Sequence, residues 1–212
     1  MKIGLALLAS LVLHGCSSGM KAGLLTVQNE VMPSRSDVRK AALNPLYRYL
    51  LVETDGQEAL MVWTGNEPHR LGQARVWVSA DGVIVRTVNG RVVGVSEPRR
   101  QWQLVSETPA LPSSPSTGTR LLQTSDAQPG FRTGMVRTIE QTTLPAAQPP
   151  ASWFDQAPQL HWLQEIDPTS GERLALYGLN MNKQTVAGQR CMTAQWCLRW
   201  QSWPANSDTS TP

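Results

Sequence analysis

The stretch that decides the fold is residues 75–95, RVWVSADGVIVRTVNGRVVGV. Three short runs rich in Val, Ile and Thr are separated by Asp81-Gly82 and by Asn89-Gly90. Asp-Gly and Asn-Gly pairs between such runs favour tight hairpin turns, because both central residues tolerate a positive φ. The stretch therefore predicts three antiparallel strands joined by two hairpins.

Similar runs extend in both directions from this stretch. Asp55-Gly56 lies between two more of them, and the turn-like Asp167-Pro168-Thr169-Ser170-Gly171 lies between another two. The predicted strands outside residues 75–95 are Leu46–Thr54, Gln57–Trp63, Gln101–Ser106, Phe131–Thr143 with a bulge near Gly134, Gln159–Ile166, Glu172–Leu179 and Trp196–Trp203. Because period-two patterns joined by short turns are typical of antiparallel sheets, the fold class is predicted to be all-β, mainly an antiparallel meander, sandwich-like or barrel-like.

One short helix is expected before the first strand. Ser36 is a suitable N-cap, Asp37 would lie in the first turn, and Asn44-Pro45 would end the helix. We expect a single β-rich domain over 36–204, with Pro-rich loops near 108–118 and 144–150 and a disordered tail over 205–212. The loop at 108–118 leaves a two-domain arrangement open as the alternative.

The N-terminus has the pattern of an exported lipoprotein. Lys2 precedes an apolar run over Ile3–Leu13 that is too short to span a bilayer but suits a signal peptide. Leu13-His14-Gly15-Cys16 then matches the lipobox, in which the Cys thiol takes a diacylglycerol thioether and cleavage requires a small residue just before it. We therefore expect a signal peptide over 1–15, lipidation with fatty acids such as palmitate at Cys16, and a lipidated tether over 16–35. The alternatives are an ordinary signal peptide with an incidental Cys, or a cytosolic start.

Ser17, directly after the lipidated cysteine, resembles the residue that directs lipoproteins to the outer membrane. The expected location is the periplasmic face of that membrane, where the lipid on Cys16 would hold the chain. In that oxidising compartment the remaining pair, Cys191 and Cys197, is expected to form a disulfide. Two free buried thiols or a metal site are the alternatives.

Composition indicates an ordinary globular chain. The 212 residues are 41% hydrophobic and 17% charged, with a formal net charge of +3. Because the Arg residues are scattered rather than gathered on one stripe, no nucleic-acid partner is expected.

No enzyme signature is present, and an enzyme is not expected. The two His residues of the mature chain, His69 and His161, lie in a turn-like Asn66–His69 and in a strand, and no catalytic or phosphate-binding spacing occurs. Glycoside hydrolysis needs only two carboxylates, for which the candidates are Glu140, Asp155, Glu165 and Asp167. Asp167 suits its turn, and the other three are interpreted as solvated, so no catalytic, cofactor-binding or metal-binding residue is assigned.

Tryptophan is unusually frequent, with eight Trp against two Phe. Exposed indoles stack on the apolar faces of sugars, and Trp196 and Trp200 share one face of a strand. The favoured interpretation is that the Trp residues fill the core in place of Phe. A sugar-binding groove remains the alternative.

Several motifs resemble the YjbF/GfcB family of outer-membrane lipoproteins, which is associated with group 4 capsule and exopolysaccharide secretion. They are Leu43-Asn44-Pro45-Leu46-Tyr47, Val76-Trp77-Val78-Ser79-Ala80-Asp81-Gly82, Val88-Asn89-Gly90-Arg91-Val92-Val93 and Trp162–Gly171. The resemblance covers about 36–95 and 160–179. This chain departs from the family at Ala175-Leu176-Tyr177-Gly178, where members usually carry a Ser-x-Gln element, in the 108–118 insert and in the Cys191/Cys197 pair.

The resemblance implies a non-enzymatic accessory factor in exopolysaccharide or capsule production or secretion. Its partners would be other export proteins and the polysaccharide itself. The family contributes no catalytic residues. The alternative is an envelope assembly or scaffolding lipoprotein that binds an outer-membrane protein rather than a glycan.

Overall fold

The structure is a computed structural model that describes residues 38–110, 117–145, 150–155 and 159–204. Twelve strands form one closed barrel in the order β1-β12-β11-β10-β9-β8-β7-β6-β5-β4-β3-β2. The strands are β1 (Tyr49–Thr54), β2 (Gln57–His69), β3 (Gly72–Ser79), β4 (Ile84–Val88), β5 (Arg91–Ser96), β6 (Gln101–Thr108), β7 (Arg120–Gln128), β8 (Arg132–Thr143), β9 (His161–Ile166), β10 (Arg173–Leu179), β11 (Thr185–Thr193) and β12 (Trp196–Trp203).

Each strand pairs with its neighbours in the chain, and β1 closes the barrel by pairing antiparallel with β12. Tyr49 lies opposite Trp203, and Thr54 lies opposite Leu198. Among the described strands, closure leaves no edge unpaired, which removes the usual site of edge-to-edge association. The all-β, antiparallel prediction is confirmed, and of its two forms the barrel is correct.

The hairpins follow the turn chemistry of the sequence. Asp55 (φ 52°) and Gly56 (φ 74°) both adopt positive φ, as do Asn89 (φ 51°) and Gly90 (φ 76°). At the Asp81-Gly82 turn only the glycine does so, and the turn is instead held by the Gly82 N–H, which donates to the Ser79 carbonyl at 3.1 Å. The Asx-Gly pairs therefore mark all three turns, but with two different geometries.

Three local expectations were wrong. The expected helix is one 3₁₀ turn, Val38–Lys40, which buries no residue and so lacks the packing that stabilises a short helix; its proposed cap at Ser36 lies outside the described residues. The turn-like Asn66–His69 belongs to β2, where Pro68 pairs with Gln73 close to the hairpin end, a place where a missing N–H is tolerated. Strands β7 and β11 are absent from the predicted strands; β7 lies between β6 and β8 in the barrel, and β11 lies between β10 and β12.

Other expectations concern the ends and loops. The predicted signal peptide, the lipidation site Cys16, the tether and the 205–212 tail all lie outside the described residues, as do 111–116 and 146–149 of the two Pro-rich loops. Strands β6 and β7, which flank the first loop, pair with each other. The bulge expected near Gly134 is present, since the register of β7 against β8 shifts between Ser125 and Ala127.

The buried apolar side chains of the described residues form three clusters, the smallest of which contains Leu121, Ile139 and Leu174. The main one fills the barrel and contains Trp77, Trp102, Trp196 and Trp200, each at most 4% exposed. A smaller one packs Phe154 against Trp162 and Leu176. Five of the eight Trp residues are buried, as the core interpretation requires: Trp77, Trp102, Trp162, Trp196 and Trp200.

A disulfide joins Cys191 to Cys197. The two residues lie directly opposite each other on β11 and β12. The bond therefore clamps the last hairpin close to its turn, in agreement with the expected pairing.

Candidate functional site

A group of charged and polar side chains crosses the inside of the barrel. We call it the interior charge network: Arg91, Glu107, Gln123, Gln141, Glu165, Tyr177 and Arg190. Its members come from seven consecutive strands, one from each of β5 to β11, and each is at most 5% exposed. Because strands such as β5 and β9 are not neighbours in the barrel, their contacts span its interior.

Glu165 is the centre of this network. Its Oε1 accepts hydrogen bonds from Arg91 at 2.5 Å and from Gln141 at 3.1 Å, and its Oε2 accepts from Arg190 at 3.3 Å and from Gln123 at 3.2 Å. Such full hydrogen bonding is what a buried carboxylate requires.

The remaining contacts connect the two guanidinium groups to Glu107 and to aromatic rings. Arg91 donates to both Glu107 oxygens at 3.3 Å, and its guanidinium carbon lies 4.8 Å from the Tyr177 ring centroid. Arg190 donates to the Tyr177 hydroxyl at 2.8 Å and lies 4.8 Å from the Trp102 ring centroid. Two Arg and two Glu side chains thus balance in charge.

The two carboxylates experience this site differently. Burial raises the pKa of Glu107, and the positive charge of Arg91 offsets this increase only in part. For Glu165, burial also opposes the charged form, but Arg91, Arg190 and the two Gln amides outweigh it and hold the pKa below its usual value. Burial raises the pKa of Tyr177 to about 12, so its hydroxyl stays protonated at neutral pH.

The interpretation of Glu165 as solvated was wrong. On β9 it shares a face with Leu163, and its side chain lies buried inside the barrel. The other three candidate carboxylates lie outside the interior charge network. Glu140 faces Arg120 at 3.8 Å, Asp155 accepts from Arg39 at 2.8 Å, and Asp167 caps its own turn by accepting from the Thr169 N–H at 2.8 Å. The structure does not bring these four carboxylates together as a catalytic pair.

The histidines are also apart from the network. His69 ends β2, and its Nδ1 accepts from the Leu71 N–H at 3.2 Å, while burial lowers its pKa. His161 is exposed at the start of β9. Among the described residues, no group of three His, Cys, Asp or Glu side chains could hold a metal ion.

A cavity of about 520 Å³ opens at one end of the barrel. We call it the barrel-end cleft. Its volume lies within the range of about 300–1,000 Å³ that is typical of small-ligand sites. It is lined by Leu50, Asn66, Gln73, Arg75, Trp77, Thr87, Asn89, Gly90, Asn182, Lys183, Gln184, Thr185, Val186, Trp200 and Ser202.

Two of the side chains that line the cleft are indoles held by hydrogen bonds. Trp77 donates from Nε1 to the Thr87 hydroxyl at 2.9 Å, and Trp200 donates from Nε1 to the Gly90 carbonyl at 3.0 Å. A Cβ at Gly90 would lie 2.0 Å from the carbonyl oxygen of Thr185, so the β4–β5 turn packs against β11 as only glycine allows. Both indoles belong to the main core, and the cleft is therefore built on packed side chains.

The sequence did not indicate this cleft. Its polar side chains belong to β2, β3, β4, β11 and β12 and to the β4–β5 and β10–β11 turns, which come together only when the barrel closes. The one available signal was the Asn89-Gly90 pair, which was interpreted as turn chemistry alone.

The comparisons with known proteins bear on the fold. The structure is similar to the crystal structure of the hypothetical lipoprotein YmcC from Escherichia coli (K12), with a TM-score of 0.56 and 15% sequence identity over 86% of this chain and 93% of that chain. No protein-family model matches the chain, and the search of curated proteins found no match. Within the described ranges, no helix is long and apolar enough to cross a membrane.

Proposed function

We propose that the chain is a periplasmic lipoprotein, held by a lipid on Cys16 at the outer membrane, that assists production or secretion of an exopolysaccharide or capsule without catalysing a reaction. The observation that carries the proposal is the lipobox Leu13–Cys16 in front of a barrel whose fold is shared with the hypothetical lipoprotein YmcC. The motifs of the YjbF/GfcB family supply the link to polysaccharide.

Two features of the barrel support a binding role rather than catalysis. The carboxylates of Glu107 and Glu165 are closed off from solvent and neutralised by Arg91 and Arg190, so a substrate cannot reach them. The barrel-end cleft is open, and its described lining residues include neither a carboxylate nor an imidazole, the usual groups for general acid–base catalysis.

The test separates anchoring from export. In a strain that lacks the gene, we expect the wild-type chain and a Ser17→Ala variant to restore surface polysaccharide, whereas Cys16→Ser should neither incorporate labelled palmitate nor restore it. Normal polysaccharide output in the strain without the gene would contradict the export role. Palmitate-free wild-type protein would contradict the lipid anchor.

A protein partner in the envelope is the second candidate. Three apolar side chains of the β7–β8 hairpin, Leu122, Phe131 and Val136, are 47%, 83% and 62% exposed. Exposed apolar groups on one hairpin are typical of contact surfaces. Loss of cross-linked outer-membrane protein in Phe131→Ser, with polysaccharide output unchanged, would favour this candidate.

A further inference from the structure

We infer that the barrel-end cleft binds an acidic saccharide unit, a sugar ring that carries a carboxylate. That this saccharide belongs to a secreted polysaccharide rests on the proposed function, whereas the chemistry of the cleft does not.

The lining is rich in primary amides. Five residues with primary amides line the cleft: Asn66, Gln73, Asn89, Asn182 and Gln184. Three residues with hydroxyl groups line it as well: Thr87, Thr185 and Ser202. An amide offers both donors and an acceptor, as does each hydroxyl group of a sugar. Such a wall matches a polyhydroxylated ring better than it matches an apolar ligand.

Part of this hydrogen-bonding capacity is held within the protein, and part is open. The Gln184 Oε1 accepts from Asn180 at 3.2 Å, which fixes that side chain. Within the described part of the chain, the side-chain amides of Gln73, Asn89 and Asn182 make no hydrogen bond, and all three residues are exposed. They can therefore turn toward a ligand.

Charge selects the class of saccharide. Arg75 and Lys183 line the cleft from β3 and from the β10–β11 turn, and none of the described lining residues is acidic. A site with two cations and no lining carboxylate favours an anionic ligand. Because Arg presents a planar fork of donors, it suits a carboxylate in particular.

Thr185 supplies an independent indication of a ligand. Its Oγ1 is buried and has no hydrogen-bond partner among the described residues, and the residue as a whole is 7% exposed. Buried hydroxyls without a partner are uncommon because desolvation is costly. Because Thr185 lines the cleft, a rotation of its side chain would bring this hydroxyl to the cleft surface, where a saccharide hydroxyl would provide the missing partner.

The experiment measures binding to the purified full-length chain in detergent by isothermal titration calorimetry at low salt. The probes are a galacturonic acid trimer, the neutral trimer maltotriose and inorganic phosphate. We expect the acidic trimer to bind at least tenfold more tightly than either of the others. Thr185→Val and Lys183→Gln should each weaken it by about five- to tenfold.

The two variants have different controls. Arg132→Gln removes an equal charge from the β7–β8 hairpin and should leave binding unchanged. Thr185→Val keeps the side-chain shape and removes an unpaired hydroxyl, so its thermal midpoint should stay the same or rise while binding falls. A purely structural role of Thr185 would instead lower the midpoint and leave binding unaffected.

Each other outcome overturns the inference. Equal binding of maltotriose would refute acid selectivity, and equal binding of phosphate would refute a saccharide site. If no trimer binds at millimolar concentration, the cleft is not a saccharide site. The polysaccharide output of the gene-deleted strain still tests the proposed function separately, because that assay does not depend on this cleft.

Discussion

Glu165→Gln should be the most destabilising isosteric change in the barrel. The Glu165 carboxylate is fully buried and accepts from four donors, two of them guanidinium groups. The amide keeps the shape but removes the charge, and its NH₂ group faces the same donors. Arg91 and Arg190 would then be left with Glu107 as the one carboxylate of the network.

The size of the effect follows from breaking a buried ion pair. Removing one partner of such a pair costs about 3–5 kcal/mol, because the remaining charge stays buried without compensation. That is a large part of the ~5–15 kcal/mol by which domains are stable. With a urea m-value of about 2 kcal/mol/M, the unfolding midpoint should fall by about 2 M.

Glu140→Gln is the matched control. Glu140 lies 3.8 Å from Arg120, whose side chain is 73% exposed, so the same substitution there should cost less than about 1 kcal/mol. Equal midpoints for the two variants in urea titrations followed by Trp fluorescence would refute the assignment of Glu165 as the centre of the network.

The acid range gives a second test of the same residue. Its pKa is lowered in the folded state, so its stabilising contribution is present above the unfolded value of about 4.3 and is lost as the pH falls through the lower folded value. Wild-type stability should therefore decline on acidification below about pH 4.3 more steeply than that of Glu165→Gln.

Three further predictions concern other parts of the barrel. Burial raises the pKa of Glu107, so the contribution of Glu107 to stability becomes less favourable as the pH rises from its unfolded pKa through its folded pKa. Glu107→Gln should therefore cost less than Glu165→Gln and should reduce this loss of stability with rising pH, as urea titrations at several pH values would show. Gly90→Ala should cost about 2–4 kcal/mol of unfolding free energy, because the new Cβ would lie 2.0 Å from the carbonyl oxygen of Thr185. Gly56→Ala, at a similar φ but with open space around it, should cost about 1 kcal/mol in the same assay, and equal costs would contradict the close packing at Gly90. Replacing Cys191 and Cys197 together by Ser should cost about 2 kcal/mol, since the bond closes a loop with a sequence separation of six, and a thermal midpoint that dithiothreitol does not change would argue against the bond.

The hairpins were predictable because their signals are local. Asp55-Gly56, Asn89-Gly90 and Asp167–Gly171 each lie at a turn between paired strands. Such turns depend on the φ tolerance of two residues and not on the rest of the chain. Barrel closure was harder to predict, because the strand pattern of an antiparallel meander is the same in a sandwich and in a barrel.

Strand β7 shows why the rest was missed. Its sequence, RLLQTSDAQ, contains mostly polar residues, so it resembles a loop. One of its buried positions holds a polar residue, Gln123. The side chain of Gln123 donates to Glu107 at 2.7 Å and accepts from Arg190 at 2.7 Å, so it belongs to the interior charge network. A strand whose core-facing residue belongs to a charge network carries no apolar alternation to detect.

The same reasoning applies to Glu165. It alternates with Leu163 toward the interior, but the other face of β9 is buried too, at Trp162 and Gln164. With both faces buried, alternation cannot distinguish a solvated carboxylate from a core one. Its partner Arg91 is 74 positions away in the sequence, and only the closed barrel brings the two together.

The β4–β5 turn connects the network to the cleft. Arg91 is held in the interior by Glu107 and Glu165, and the preceding Gly90 accepts from Trp200 and packs on the Thr185 backbone at the cleft wall. Because consecutive residues of one tight turn share these contacts, the buried charges fix the position of the cleft lining without touching a ligand. A network of this kind costs desolvation energy that apolar packing would avoid, and its use here is consistent with a need to hold one turn, and the hydroxyl of Thr185 beside it, in a single place.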